Sequence, residues 1–263
     1  DAISPRMRSD ILAGRGKIVI TSSGVMGDPG MGSTAYYLLR SGDTLRRLME
    51  SGSGYREISF SRNVMRCSSS PVITDANLLL GLHHAVDNRS ILPPALPCLR
   101  NHDGLFITML FGLVNGSYMA HLPWMIAHRP PLERSSSLEE NIASVSTFRA
   151  ADIMICFLKN YWASHPVMEI STGLRVLGSY LSAVGSLNAD DFGEFLRPVL
   201  AEELGERIAL LDNMLNIAPD MPDDMAADIV AYLRGMSKNI RNNSIVVPAD
   251  LLNGSSGDES VAA

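Results

Sequence analysis

Residues Asp87–His128 read DNRSILPPALPCLRNHDGLFITMLFGLVNGSYMAHLPWMIAH, and this stretch decides the fold. Pro93, Pro94 and Pro97 hold its first part extended, because proline fixes φ and biases the residue before it away from the helical region. The polar tetrad Arg100-Asn101-His102-Asp103 follows, and Gly104 opens an apolar run whose only polar residue before Val114 is Thr108. Asn101 and Asp103 are both good helix caps, so the run predicts a helix through Leu113. Asn115-Gly116 turns the chain. Tyr118–Ile126 then reads as a strand interrupted at Pro123 and placed at an edge or a bend. Five of the six histidines lie between His83 and His128.

The residues before this stretch have the grammar of an α/β domain. Residues 4–13 predict a short helix, and Lys17–Thr21 a β-branched strand. Ser22–Ser33 contains four glycines and Pro29 within nine residues and predicts a loop, with Ser33 capping a helix from Thr34 to about Arg40. Strand, glycine-rich loop and helix is the order found where backbone N–H groups meet an anion, although the spacing matches neither GxGxxG nor GxxxxGK[ST]. Asp43–Ser51 predicts a second helix. Val72–Thr74 and Asn77–His84 predict strands, and Leu78-Leu79-Leu80 suits a strand buried on both faces.

After the Pro/Ser segment 129–137 the hydrophobic period becomes that of helices. Leu138–Ala163 predicts one long helix with Ile142, Val145, Phe148, Ile153, Phe157 and Leu158 on its stripe. Leu174–Ser186 predicts a second. A third, capped by Asn188, spans Ala189 to about Ile217 with a kink at Pro198, and a fourth ends near Lys238. The expected organisation is therefore a mixed α/β part over 1–134, an all-α part over 138–243, a short extended patch at 245–248, and a disordered tail over 253–263.

Composition narrows the function classes. The net charge of −6 argues against a nucleic-acid binder. Residues 1–150 carry 15 Lys/Arg and 12 Asp/Glu (15 − 12 = +3), whereas 151–263 carry 7 and 16 (7 − 16 = −9), so the first part tolerates an anionic ligand better. Three cysteines without a CxxC pair fit a reducing, cytoplasmic setting. The 11-residue run Gly104–Val114 is too short for a membrane span, which needs about 20 residues. No secretory signal is visible, and the start at Asp1 suggests a segment of a longer chain.

Individual residues stay open between chemical and structural roles. Asp103 at a helix mouth serves either as a general base or as a helix cap. His121 offers one metal ligand if carboxylates complete the set. His128 lies on the opposite strand face from it. Trp124 fits either a core anchor or a stacking surface for a sugar or base. No GxSxG, HExxH or Walker pattern is present.

Taken together, Gly24–Ser33 with Tyr36-Tyr37-Leu38, Asp87-Asn88-Arg89-x-x-Leu92-Pro93-Pro94, Arg100–Phe106 and His121-Leu122-Pro123-Trp124 resemble bacterial family-2-type glycosyltransferases with a GT-A domain and a helical C-terminal extension. Gly185-Ser186-Leu187, Asp190-Asp191-Phe192 and Val246-Val247-Pro248 extend the resemblance over most of the chain. It implies a partial GT-A-like sheet, with the donor-binding half and its Asp-x-Asp motif lying outside this chain. It implies transfer of a sugar from a nucleotide-sugar donor to an acceptor hydroxyl. Asp103 would be the catalytic base, with His102 where the family commonly has Glu. His121 would be a ligand to a divalent cation, Mg2+ or Mn2+. Asp28, Gly30, Ser33, Asp87, Arg89, Arg100, Asn101, His102 and Trp124 would line the substrate pocket. The alternative is a non-catalytic relative, an interaction module whose helices dock a partner protein.

Overall fold

The computed structural model describes residues 3–29, 38–39, 43–50, 54–76, 79, 83–96, 100–165, 169–218 and 220–241. It contains a mixed sheet and helices, in the order α1 (Pro5–Leu12), β1 (Lys17–Gly27), α2 (Asp43–Glu50), α3 (Tyr55–Phe60), β2 (Val64–Arg66), β3 (Val72–Thr74), β4 (His84–Val86), α4 (His102–Leu113), β5 (Ser117–His128), α5 (Leu138–Ser146), α6 (Ala150–Ser164), α7 (Ile170–Gly185), α8 (Ala189–Ile217) and α9 (Asp223–Arg241). The expected helix at 34–40, the strand core at 77–82, the extended patch at 245–248 and the tail at 253–263 fall mostly or wholly outside the described residues.

The sheet runs β2-β1-β5-β3, and β4 also pairs with β1. β4 is antiparallel to β1, with Ile20 opposite Val86 and Ser22 opposite His84. β3 is antiparallel to β5, with Val72 opposite His121 and Thr74 opposite Met119. Lys17 N–H donates to the Gly116 carbonyl at 2.8 Å and Asp28 N–H to the His128 carbonyl at 3.1 Å, so β1 and β5 start and finish together and run in the same direction.

Three sequence expectations change here. β1 does not stop at Thr21 but continues through the serine- and glycine-rich residues to Gly27. Gly24 is small because a Cβ there would lie 2.2 Å from the Arg66 carbonyl oxygen, so this glycine serves strand crowding rather than an open loop. β5 passes through Pro123 without interruption. Its ladder with β3 covers only Met119–His121, and Pro123 lies beyond it, where a missing N–H removes no bond to β3. The helix expected over 138–163 is two helices broken at Thr147–Arg149. Asp152 folds back to accept the Arg149 N–H at 3.3 Å, and that cap starts α6 afresh. Residues 138–164 are a candidate membrane span by length and composition, with 56% of the most apolar window buried inside the protein; the same residues form these two packed helices.

The chain forms two compact units, each built from three segments. The first contains residues 1–26, 65–127 and 149–192, and the second contains 27–64, 128–148 and 193–263. This division differs from a linear boundary near 134–138, because α6 and α7 belong with most of the sheet. In the first unit, Ile20, Leu105, Ile107, Leu110, Met119, Ile153 and Leu158 are fully buried. α4 and α6 approach closely because Gly112 has no side chain: a Cβ there would lie 2.0 Å from Trp162 Nε1. α1 is tied to the start of β5 by the Tyr118 hydroxyl, which donates to Asp10 at 2.6 Å.

The second unit is mainly helical. Leu196, Leu200, Leu204, Leu211, Ile229 and Met236 form its core. Ser137 and Glu140 make a capping box at the start of α5. At the other end of α5, Arg207 donates to the Val145 carbonyl at 2.8 Å and Asn239 to the Ser146 carbonyl at 3.0 Å, satisfying carbonyls that a helix end leaves open.

Candidate functional site

Two polar constellations lie within the first unit. The first surrounds the start of α4. Asn101 occupies the N-cap position with φ 70° and ψ 25°, the left-handed conformation that asparagine tolerates better than most residues. Its side chain does not cap the helix. Instead Nδ2 donates to Asp152 Oδ1 at 2.7 Å, which ties the α4 entrance to the first turn of α6. Asp152 in turn accepts from Arg149. Gly104 leaves the space that this arrangement needs, since a Cβ there would lie 2.3 Å from Asn101 Oδ1.

Asp103 is therefore not the capping residue. It is half-buried in the first turn, where the helix dipole favours a carboxylate. Arg100 and His102 beside it are exposed. Cap and base remained alternatives in the sequence, and the cap position belongs to Asn101.

The second constellation is a cavity of about 200 Å3 lined by Ser22, Ser23, Arg66, Ser68, Val72 and His121, among others. Cys67 and Ser68, which also line it, begin the link that carries the chain from β2 at one sheet edge to β3 at the other. Cys67 Sγ–H meets the Trp124 carbonyl of β5 at 3.7 Å on the way. Ser68 Oγ is buried and has no hydrogen-bond partner. Burial first, and the Arg66 charge second, hold the His121 imidazole below its ordinary value.

The metal expectation fares poorly against this chemistry. Mg2+ and Mn2+ take oxygen ligands, chiefly carboxylates. The cavity around His121 offers hydroxyls, a thiol and the Arg66 guanidinium, with no carboxylate among the described residues that line it. Among the described residues no group of three or more His, Cys, Asp and Glu is placed to hold a metal. The residues present do not fit a hard divalent cation.

The other anticipated residues are dispersed. Asp28 is buried in the second unit between Arg134 Nε at 2.7 Å and Arg62 Nε at 3.4 Å, the setting of a structural ion pair. Asp87 and Arg89 form an exposed fork, Nε to Oδ1 at 2.8 Å and Nη2 to Oδ2 at 2.7 Å. That hydrogen bonding lowers the Asp87 carboxyl to about 2. Trp124 is 67% exposed on β5, so it is a surface aromatic and not a core anchor. Gly30 and Ser33 lie outside the described residues. Arg66, Ser68 and Asp152 were not singled out by the sequence: Arg66 and Ser68 belong to no motif, and Asp152 reads as one more acid on an amphipathic helix. Comparison with protein-family models, with curated proteins and with solved structures finds no match.

Proposed function

We propose that this chain carries the acceptor side of a glycosyltransferase site, built on a GT-A-like sheet and using Asp103 as general base. One observation carries the reading: the left-handed Asn101, tied to Asp152, fixes the backbone that presents a half-buried Asp103 at the mouth of an apolar helix. A backbone held in a sparsely populated region by its surroundings is characteristic of positions under functional constraint. The motif resemblance around Arg100–Phe106 and His121–Trp124 supports the same reading.

Asp103 would take the proton from an acceptor hydroxyl. The oxygen forms a bond to the anomeric carbon, and the bond from that carbon to the diphosphate oxygen breaks, its electron pair leaving with the diphosphate. Arg100 and His102, exposed beside Asp103, would contact substrate, and Trp124 offers a face on which a sugar ring can stack. No step requires a cation at His121.

The test is turnover of a panel of nucleotide sugars by the complete protein, donor-binding half included, and by its Asp103→Asn variant. General-base catalysis contributes about 10²–10⁴-fold, so the variant should lose that much in kcat. Unchanged turnover would refute the base assignment. A folded complete protein that turns over no nucleotide sugar would favour the interaction-module alternative.

A further inference from the structure

The helical unit encloses a polar cluster that the candidate site does not use. We propose that Asp228 of α9 is a proton-operated latch: ionised, its carboxylate holds Arg56 of α3, and protonated, it releases that guanidinium to solvent and stays buried as a neutral acid beside Tyr55 and Tyr232. The inference does not depend on any role for Asp103.

Three elements build the cluster. Tyr55 and Arg56 are adjacent on α3, and Asp228 and Tyr232 lie one turn apart on one face of α9. Asn141 comes from α5, its Nδ2 donating to the Ser59 carbonyl of α3 at 3.2 Å. Asp228 and both tyrosines are no more than 1% exposed. Asp228 Oδ1 accepts from Arg56 Nη2 at 3.1 Å. Oδ2 is buried and makes no well-formed hydrogen bond among the described residues, and the same holds for the Tyr55 and Tyr232 hydroxyls. The Asp228 charge acts on both phenols, so the three oxygens share one neighbourhood. Ser59 and Asn141 act on the Tyr55 and Tyr232 hydroxyls in turn, without completing a bond to either.

The ion pair is lopsided. Arg56 is 51% exposed and Asp228 only 1%, so water solvates the guanidinium while the carboxylate carries most of the desolvation penalty. A half-exposed cation offsets that penalty only in part. A neutral carboxyl needs no counter-charge, and its O–H becomes a donor for a tyrosine oxygen. Burial, opposed by Arg56, accordingly holds the Asp228 carboxyl above its ordinary value. The charged and titratable groups facing it are Arg56 and Tyr55 from α3 and Asp224 and Tyr232 from α9, while α5 contributes the uncharged Asn141. Asp224, of like charge, also disfavours the carboxylate. Because the folded value lies above the ordinary 3.8, the folded chain takes up this proton before the unfolded chain does as pH falls. The stabilisation from Asp228 protonation is complete below 3.8 and is lost as pH rises through the folded value.

The experiment is thermal denaturation of the full chain, of Asp228→Asn and of Arg56→Met, followed by far-UV circular dichroism from pH about 7.5 to about 4.5. Asparagine has the shape of the protonated acid. Asp228→Asn should raise the thermal midpoint by about 2–4 °C at pH about 7.5, and the gain should shrink as pH falls and the parent acquires its own neutral side chain. Arg56→Met should lower the midpoint at pH about 7.5, where it leaves a buried carboxylate without its cation, and have a smaller effect at about 4.5. Differences between chains at each pH cancel the contributions of the other carboxylates. Carboxyl-carbon NMR of the parent, with the Asp228 signal assigned through its own backbone, gives a second reading that needs no variant to fold. Its titration midpoint should lie above 3.8. A midpoint at or below 3.8 overturns the inference, because the buried form is then the ion. Equal destabilisation by Asp228→Asn at both ends of the pH range also overturns it, and leaves Asp228 and Arg56 a structural ion pair.

Discussion

Replacing Gly104 with alanine tests whether the α4 entrance is held as described. In an ordinary helix the change stabilises by about 0.5–1 kcal/mol, because glycine loses more backbone freedom on folding. Here the new methyl would lie 2.3 Å from Asn101 Oδ1 and 2.9 Å from its Cγ. The asparagine side chain must swing away, which breaks its 2.7 Å bond to Asp152. A hydrogen bond to a charged group contributes about 1.5–3 kcal/mol, and this part-buried one belongs at the low end. Subtracting the helical gain leaves a net loss of about 1 kcal/mol. In the Asn101→Gly background there is no side chain to displace and the left-handed conformation carries no penalty, so Gly104→Ala should become stabilising by about 0.5–1 kcal/mol. The sign reverses, with a coupling of about 1.5–2 kcal/mol between the two positions. Urea denaturation followed by tryptophan fluorescence reads the correct unit, since both tryptophans, Trp124 and Trp162, lie in it. An equal effect of Gly104→Ala in the two backgrounds would refute the argument.

Two further outcomes follow from side chains in each unit. Arg207, only 10% exposed, bonds the Val145 carbonyl, pairs with Glu203 at 3.2 Å and covers the Phe148 ring at 4.8 Å. Arg207→Met keeps the stem but removes the donor to that carbonyl and the pairing with Glu203, and should destabilise the helical unit by about 2–3 kcal/mol in denaturation followed by far-UV circular dichroism; a change within about 0.5 kcal/mol, the size of an ordinary surface substitution, would show that α5 needs no such cap. His121 has a folded-state value below its ordinary 6.5. As pH falls below 6.5 the unfolded chain binds a proton that the folded chain resists, so stability is complete above that value and declines beneath it. His121→Gln should flatten that decline, and parallel stability curves for parent and variant would contradict the assignment.

The amphipathic elements were readable because a single face is buried along their length. α8 runs over Ala189–Ile217 as the pattern indicates, and Asn188 caps it by accepting the Asp191 N–H at 3.0 Å. The break before α6 was hidden because the apolar stripe continues unchanged through Val145, Phe148 and Ile153. Val145 and Phe148 serve the second unit and Ile153 the first, a distinction that local periodicity does not carry. The extent of β1 was hidden because serine and glycine also make loops, and only the proximity of Arg66 explains Gly24. Asp103 was legible as a candidate because helix mouths are visible in sequence. The cavity was not, because it gathers residues from Ser22 to Leu122 whose approach depends on strand order alone.

The alternation of segments between the two units governs how the protein can emerge from a ribosome. The first unit lacks α7 until residue 185 has appeared, and the second lacks α9 until residue 241. Residues 27–64 are made early yet belong to the unit completed last. Domains whose residues are contiguous can fold one after another during synthesis. Here Tyr55, fully buried in the finished protein, waits for α9, about 170 residues later, to cover it. A nascent chain stopped anywhere before α9 exposes apolar side chains of the second unit, so this protein has a longer interval of vulnerability to aggregation than one of equal length built from two successive domains.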